Sequence, residues 1–451
     1  MKKQTLAFLL ALVPTLTTAQ SPRLKVPVIV DTLPNGLILI VHEDHSVPRV
    51  ATNIWYRVGS GDEKPGRTGF AHLFEHLMFM GSQNAPYPQF DQLLEPFGFG
   101  ANGSTTEDRT NYMQTGAANG LEMVMWLEAD RMGWMLPTMD SAKVNAQRDI
   151  VKNERRQSYE NQPYGKAADI LPPALYPKGH PYSWPVIGSM ADLSAASLED
   201  VKEFFRQYYA PNNAAIVIAG AVKTDSVRRI VRQYFGSIPR GPSFTRPTPA
   251  PFTVRDTAIA TEDRVQVPRL YLAWHTINNT HKDVAPLDIL SYLLSGARNS
   301  RLTNTLVYQR EIASDVSAFS DAKRLDGDFS ITATARPGQG LDSLKVTIER
   351  ELNRLATEGP TARELEQAKN ARESSFLNQL EFVSAKADQL NSYAYFNGTP
   401  DYFQKELDAL RAVTADDIKR VIKAYLTGPR VMLSIVPMGK LELAAKKVIV
   451  Q

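Results

Sequence analysis

The stretch EDVKEFFRQYYAPNNAAIVIA, residues 199–219, reads as a helix followed by a strand, and DDIKRVIKAYLTGPRVMLSIV, residues 416–436, repeats that pattern. Asp200 and Asp417, Lys202 and Lys419, and Tyr208 and Tyr425 all fall 217 positions apart. A shared element at the same end of two stretches of similar length marks an internal duplication. Between the two stretches, residues 239–252 carry five prolines and little apolar content, the composition of a semi-extended linker. Strand signals open the first half: Asn35-Gly36 between apolar runs predicts a hairpin, and VATNIWYRV, residues 50–58, is rich in strand formers. Helical patterns follow over 118–134 and 140–159, and over 340–380 in the second half. The expected class is α+β, with two homologous domains, 20–238 and 253–451, each a mainly antiparallel or mixed sheet covered by helices.

Composition narrows the function. A chain of 451 residues is too long for a single core, and its 43% hydrophobic and 22% charged residues are those of an ordinary globular protein. The formal charge of +3 with no long basic run argues against a phosphate-tracking nucleic-acid surface. Residues 1–19 have the form of a signal peptide: Lys2 and Lys3, a short apolar run, then Thr17-Thr18-Ala19. Their removal takes two lysines and leaves +1. No later stretch is apolar enough to span a bilayer, so a periplasmic or secreted protein without stable membrane insertion is expected. With no cysteine in the chain, any metal site must use His, Asp and Glu.

Such a site is signalled by GFAHLFEHLMF, residues 69–79. As a helix it is apolar nearly all round, yet it carries His72, Glu75 and His76. One turn separates the two histidines, so both rings project from one face. Burying these groups without partners would cost on the order of 1–3 kcal/mol each. A divalent metal compensates: two imidazoles chelate it, and the adjacent carboxylate is placed to take a proton from water. H-x-x-E-H is the inverted zincin order. The competing reading is two satisfied core histidines. A catalytic zinc needs a third protein ligand, and the helix of residues 140–159 offers Glu154. Val144, Gln147, Val151 and Glu154 share one face at spacings of three, four and three, which makes Glu154 the charged residue on a core-directed stripe. The alternative for Glu154 is a surface carboxylate paired with Arg155.

These residues resemble the pitrilysin/insulinase family of zinc metallopeptidases, particularly its short-chain branch, which includes the mitochondrial processing peptidase. The resemblance covers the mature chain. It rests on His72–His76, on a Glu 78 positions after the second His, on Gly81-Ser82, and on Asn212-Asn213 before a strand ending at Gly220. It implies His72, His76 and Glu154 as Zn2+ ligands, Glu75 as general base, and hydrolysis of peptides or unfolded chains. It further implies that substrate adds as a strand near residues 100–106, where Asn102 and Gly103 lie; a plain Gly-rich turn is the alternative.

Two departures stand beside it. Gln147 occupies a position that usually holds a second Glu, leaving an amide to support the ligands. Residues 285–294 fill the place of the metal helix in the second half without His or Glu, so that half is expected to be non-catalytic. Arg301 matches a substrate-holding Arg of the family, but Ser314 falls where its partner Tyr belongs, and Tyr308 is merely near in sequence. Because the family's working unit has four such domains, the resemblance implies a partner: a heterodimer with a homologous subunit lacking the zinc motif, or alternatively a homodimer. Other readings are a non-catalytic structural subunit and a peptide-binding or metal-scavenging protein. His42 and His45 are expected to be solvated, and His180 to pack in a loop.

Overall fold

The computed structural model describes residues 23–246 and 248–446; the expected signal peptide lies outside the described residues. Six strands form the first sheet: β1 (Ile29–Thr32), β2 (Ile38–Glu43), β3 (Arg49–Tyr56), β4 (Gly100–Thr105), β5 (Thr110–Ala117) and β6 (Ala214–Gly220), in the order β1-β2-β6-β3-β5-β4. Five form the second: β7 (Thr257–Asp263), β8 (Arg269–Thr276), β9 (Ala313–Ala322), β10 (Gly327–Ala335) and β11 (Val431–Pro437), in the order β7-β11-β8-β10-β9. Both sheets are mixed. β2 runs parallel to β6, and β7 parallel to β11, while the other pairs are antiparallel.

Apart from β1, the second sheet repeats the first strand for strand. The 217-residue offset carries β6 onto β11 and β5 onto β10 to within one residue. Even the caps recur. Ser197 and Asp200 form a capping box at the start of the Leu198–Tyr208 helix, and Thr414 and Asp417 form one at the start of Ala415–Val421. The fold is thus α+β with two homologous halves.

Every residue of β6 is buried, as befits a strand covered on both faces. Ile216 and Ile218 face the main core of the first half, whereas Val217 and Ala219 face the opposite side. That second face is covered from the other half: Ala387, Leu390 and Tyr393 of the Val383–Phe396 helix pack there with Phe376 and Phe403. Reciprocally, the Ala167–Leu175 helix of the first half packs its Ala167, Ile170 and Leu171 against Leu433 and Ile435 of β11. Each sheet is therefore covered on one face by its own helices and on the other by a helix from its homologue.

Local departures have local causes. The helical pattern at 340–380 is two helices, Leu341–Glu358 and Ala362–Gln379, broken at Gly359-Pro360, where Gly359 takes a left-handed φ of 77°. The pattern at 140–159 is the Ser141–Arg155 helix followed by a wider π turn at Arg156–Glu160. The proline-rich segment before β7 is irregular but docked: Arg246 pairs with Asp62 at 2.9 Å, and Phe252 packs against Tyr176 and His275. No described helix is long and apolar enough to cross a membrane.

Candidate metal centre

The Phe70–Leu77 helix buries Phe70, Leu73, Phe74 and Leu77 in the first core, which turns His72, Glu75 and His76 towards a partly open face. Its entry is tightly built. Gly69 has φ +90°, and a Cβ there would sit 2.6 Å from the Ile187 carbonyl, so only glycine fits. The buried Glu63 carboxylate accepts from Gly69 N at 3.0 Å and Ala71 N at 2.8 Å, satisfying donors that the helix start leaves unpaired. Burial pushes the Glu63 carboxyl well above its ordinary range, with these two N–H bonds opposing.

The Ser141–Arg155 helix begins at Asp140, whose side chain accepts from Lys143 N, and buries Val144, Gln147 and Val151. The same stripe delivers Glu154 to the histidines. Glu154 Oε2 lies 3.7 Å from His72 Nε2 and 3.3 Å from His76 Nε2, and one donor atom from each residue falls within 4.8 Å of the others. Among the described residues this is the single group of three or more His, Asp and Glu so arranged.

The donor set fits zinc. Two imidazole nitrogens and a carboxylate oxygen are its usual oxygen and nitrogen ligands, and bonds of about 2.0–2.1 Å to a tetrahedral ion place ligand atoms roughly 3.3 Å apart. Burial, and His76 beside it, push His72 down to about 4, which keeps its imidazole neutral and able to donate a lone pair. Glu75 leans the other way, towards β4. Its Oε2 accepts from Thr105 Oγ1 at 2.7 Å, and burial raises its carboxyl above the usual value against the pull of that hydrogen bond.

The remaining residues singled out from the sequence fall as follows. β4 is the free edge of the first sheet, and Asn102 is exposed on it, its Oδ1 accepting from Gly103 N at 2.9 Å. Gly103 is buried, and a Cβ there would meet Glu75 Cγ at 2.8 Å, so its place in the site is to make room for Glu75. Gln147 differs from expectation: its amide donates to Met80 Sδ at 2.9 Å rather than to an imidazole or to Glu154, because the buried stripe turns it towards the core. Arg301 is held by Glu364 through Nε at 2.8 Å and Nη2 at 2.9 Å, and by the Gly359 carbonyl, which ties it to the helix following the Gly359-Pro360 break. Ser314 Oγ bonds Asp315 and the Thr334 carbonyl, while Tyr308 is exposed beneath the Arg298 guanidinium.

One histidine expectation is corrected. His42 is buried, with Nδ1 2.8 Å from the Pro27 carbonyl; His45 is exposed as expected. His180 does more than pack: its Nε2 lies 3.0 Å from Asp326 of the second half. Glu63 and Thr105 went unnoticed in the sequence because both lie outside any periodic pattern. The SGDE stretch before the helix carried no signal beyond polarity.

The chain is similar to known proteins over most of its length. Residues 39–180 match the family Insulinase (Peptidase family M16), and residues 195–372 match the Peptidase M16 inactive domain. Zinc protease PqqE of Helicobacter pylori is 30% identical over 405 residues, which cover 87% of this chain and 89% of that protein. The probable mitochondrial-processing peptidase subunit beta of Arabidopsis thaliana is 24% identical over 422 residues, 90% of this chain and 77% of that one. The crystal structure of a protease from Helicobacter pylori superposes with a TM-score of 0.85 at 26% identity, covering 91% of this chain and all of that chain. With both halves matched and the fold shared throughout, the chain belongs to the insulinase family of peptidases, family M16.

Proposed function

We propose that the chain is a zinc-dependent endopeptidase of peptides or unfolded polypeptides, with His72, His76 and Glu154 as ligands and Glu75 as general base. The observation that carries this reading is the convergence of three donor atoms within 4.8 Å beside a carboxylate aimed at the sheet edge. Zinc, when bound, polarises a scissile carbonyl and acidifies a water. Glu75 takes the proton of that water and passes it to the leaving amine, and its raised carboxyl pKa favours the second transfer. The Thr105 hydroxyl fixes one oxygen of Glu75 and leaves the other to face the reacting atoms. The main chain of β4 supplies hydrogen bonds to an extended substrate, with Asn102 beside it, so sequence preference is weak and folded proteins are poor substrates.

Residues 1–19 direct the chain out of the cytoplasm in this reading, to the periplasm or beyond. The partner is a homologous subunit lacking the zinc motif, or else a second copy of this chain. A non-catalytic subunit is the second reading. The inactive-domain match favours it only for residues 195–372, away from the three donors. Replacing Glu75 by Gln in zinc-loaded protein decides between them: the enzyme reading expects hydrolysis to vanish with zinc retained. A wild-type protein that cleaves nothing, alone or with its partner, would overturn it.

A further inference from the structure

The second half lacks a metal helix, yet it touches the substrate edge of the first through one turn. Thr106–Arg109 closes the β4–β5 hairpin, with Thr106 N donating to the Arg109 carbonyl at 2.9 Å. At the 217-residue offset, Lys323 N donates to the Asp326 carbonyl at 3.0 Å and closes the β9–β10 hairpin in the same way. The two homologous turns meet, and their charges have diverged in opposite senses: Glu107 and Asp108 on one, Lys323 and Arg324 on the other.

Asp108, only 4% exposed, is the hub. Its Oδ2 accepts from Arg324 N at 2.9 Å, and its Oδ1 from Tyr182 OH at 2.6 Å with Arg324 Nε at 3.4 Å. Tyr182 OH in turn accepts from Leu325 N at 3.0 Å. Lys323, itself held by Asp328, reaches within 4.0 Å of Glu107. On the opposite side main-chain donors hold the turn, with Ser60 N on the Thr106 carbonyl and Gly61 N on that of Glu107. One residue before the turn, Thr105 holds Glu75.

We infer that the Lys323–Asp326 turn, acting through Asp108 and Tyr182, is a positioning device: it sets where Thr105, and with it Glu75, stands against the substrate edge. The inference rests on the peptidase reading and gives the non-catalytic half a task in the reaction. Only Thr106 and Glu107 separate Asp108 from Thr105, too short a path to absorb a displacement. A misplacement of about 1 Å at a reacting group can cost roughly a hundredfold in rate.

The test uses the full mature chain, zinc-loaded, with a fluorogenic unfolded peptide and the variants Tyr182→Phe, Asp108→Asn and Arg324→Gln. Asp108→Asn is expected to lower kcat about tenfold while KM and zinc content stay within about twofold of wild type, since Asp108 itself contacts neither the metal ligands nor the β4 main chain that would bind substrate. Tyr182→Phe keeps the ring and should lose about threefold, and adding it to Asp108→Asn should cost little more, because both act through one carboxylate. Arg324→Lys should restore most of what Arg324→Gln loses. Unchanged kcat in Asp108→Asn and Tyr182→Phe, with only a lowered Tm, would overturn the inference. If Asp108→Asn fails to fold, Tyr182→Phe decides. If the wild-type protein proves inactive, the peptidase reading fails separately; faster amide exchange at residues 100–106 in Tyr182→Phe still supports the clasp, and unchanged exchange overturns it.

Discussion

The Phe70–Leu77 helix and the Val284–Ser295 helix occupy the same place in the two halves, each between a central strand and the edge strand that follows. At the 217-residue offset His72 becomes Ile289, Glu75 becomes Tyr292, His76 becomes Leu293 and Glu154 becomes Ala371. Ile289 and Leu293 are buried, at 0% and 4% exposure, in the core of the second half. The same scaffold thus holds either a polar constellation able to hold an ion or an apolar surface that needs only its neighbours. The two copies differ at these four side chains, while the sheet, the caps and the hairpins are common to both.

The sharpest way to break this comparison is at the base. Glu75→Gln should lower peptide hydrolysis about a thousandfold with zinc content unchanged, as expected for loss of a general base, whereas Tyr292→Phe at the equivalent position should leave turnover as it was. Exchanging the helices' residues comes next. His76→Leu copies the second half and should weaken zinc binding by more than the 10–100-fold typical of supporting residues, read by chelator competition, with no loss of apo-protein Tm. The reverse change, Leu293→His, puts an unpartnered imidazole in a core and should cost about 2–4 kcal/mol by denaturant unfolding.

A third contrast lies at the edge strands. Gly103→Ala places a Cβ where Glu75 Cγ stands, 2.8 Å away, and should reduce kcat about tenfold; Ser320, its counterpart on β9, already carries a side chain, and Ser320→Ala should be silent. The smallest effect is in acid stability. Asp326 is half-buried, which by itself would raise its carboxyl, but hydrogen bonds from His180 and His275 outweigh burial and hold it at about 2, below the 3.8 of a free carboxyl. The Arg301 pair, helped by Thr361, holds Glu364 at about 2 against 4.5. Both carboxyls are depressed on folding, so their contribution is complete above about pH 4.5 and is lost as pH falls through about 2. Asp326→Asn should flatten the drop in Tm over that window, and an unaltered curve would remove the His180–Asp326–His275 contact from the account.

Much of this was legible beforehand for identifiable reasons. The repeated helix and strand announced two like halves because both the apolar period and the capping aspartate survived duplication. H-x-x-E-H and the Val144–Glu154 stripe were legible because helical spacing translates directly into a shared face. The helix break at Gly359-Pro360 escaped the reading of 340–380 as one helical pattern, although a proline disfavours the helical conformation of the residue before it. The exchange of covering helices was not legible either. A strand such as β6 declares by its uniform burial that both faces are covered, but not which segment covers them. Glu63, Thr105 and His180 were hidden for a related reason: each acts on a residue remote in sequence from a loop or a strand end, where no period reports it.

The reciprocal helices carry one last consequence. A protease nick between 239 and 256 would cut the only covalent tie between the halves, yet it would not free them, because each fragment would still hold the other's missing wall. Expressed alone, either fragment would expose a bare sheet and is expected to aggregate or to seek its mate. The silent copy is therefore not dispensable, and selection can erase its chemistry far more readily than it can delete its gene segment.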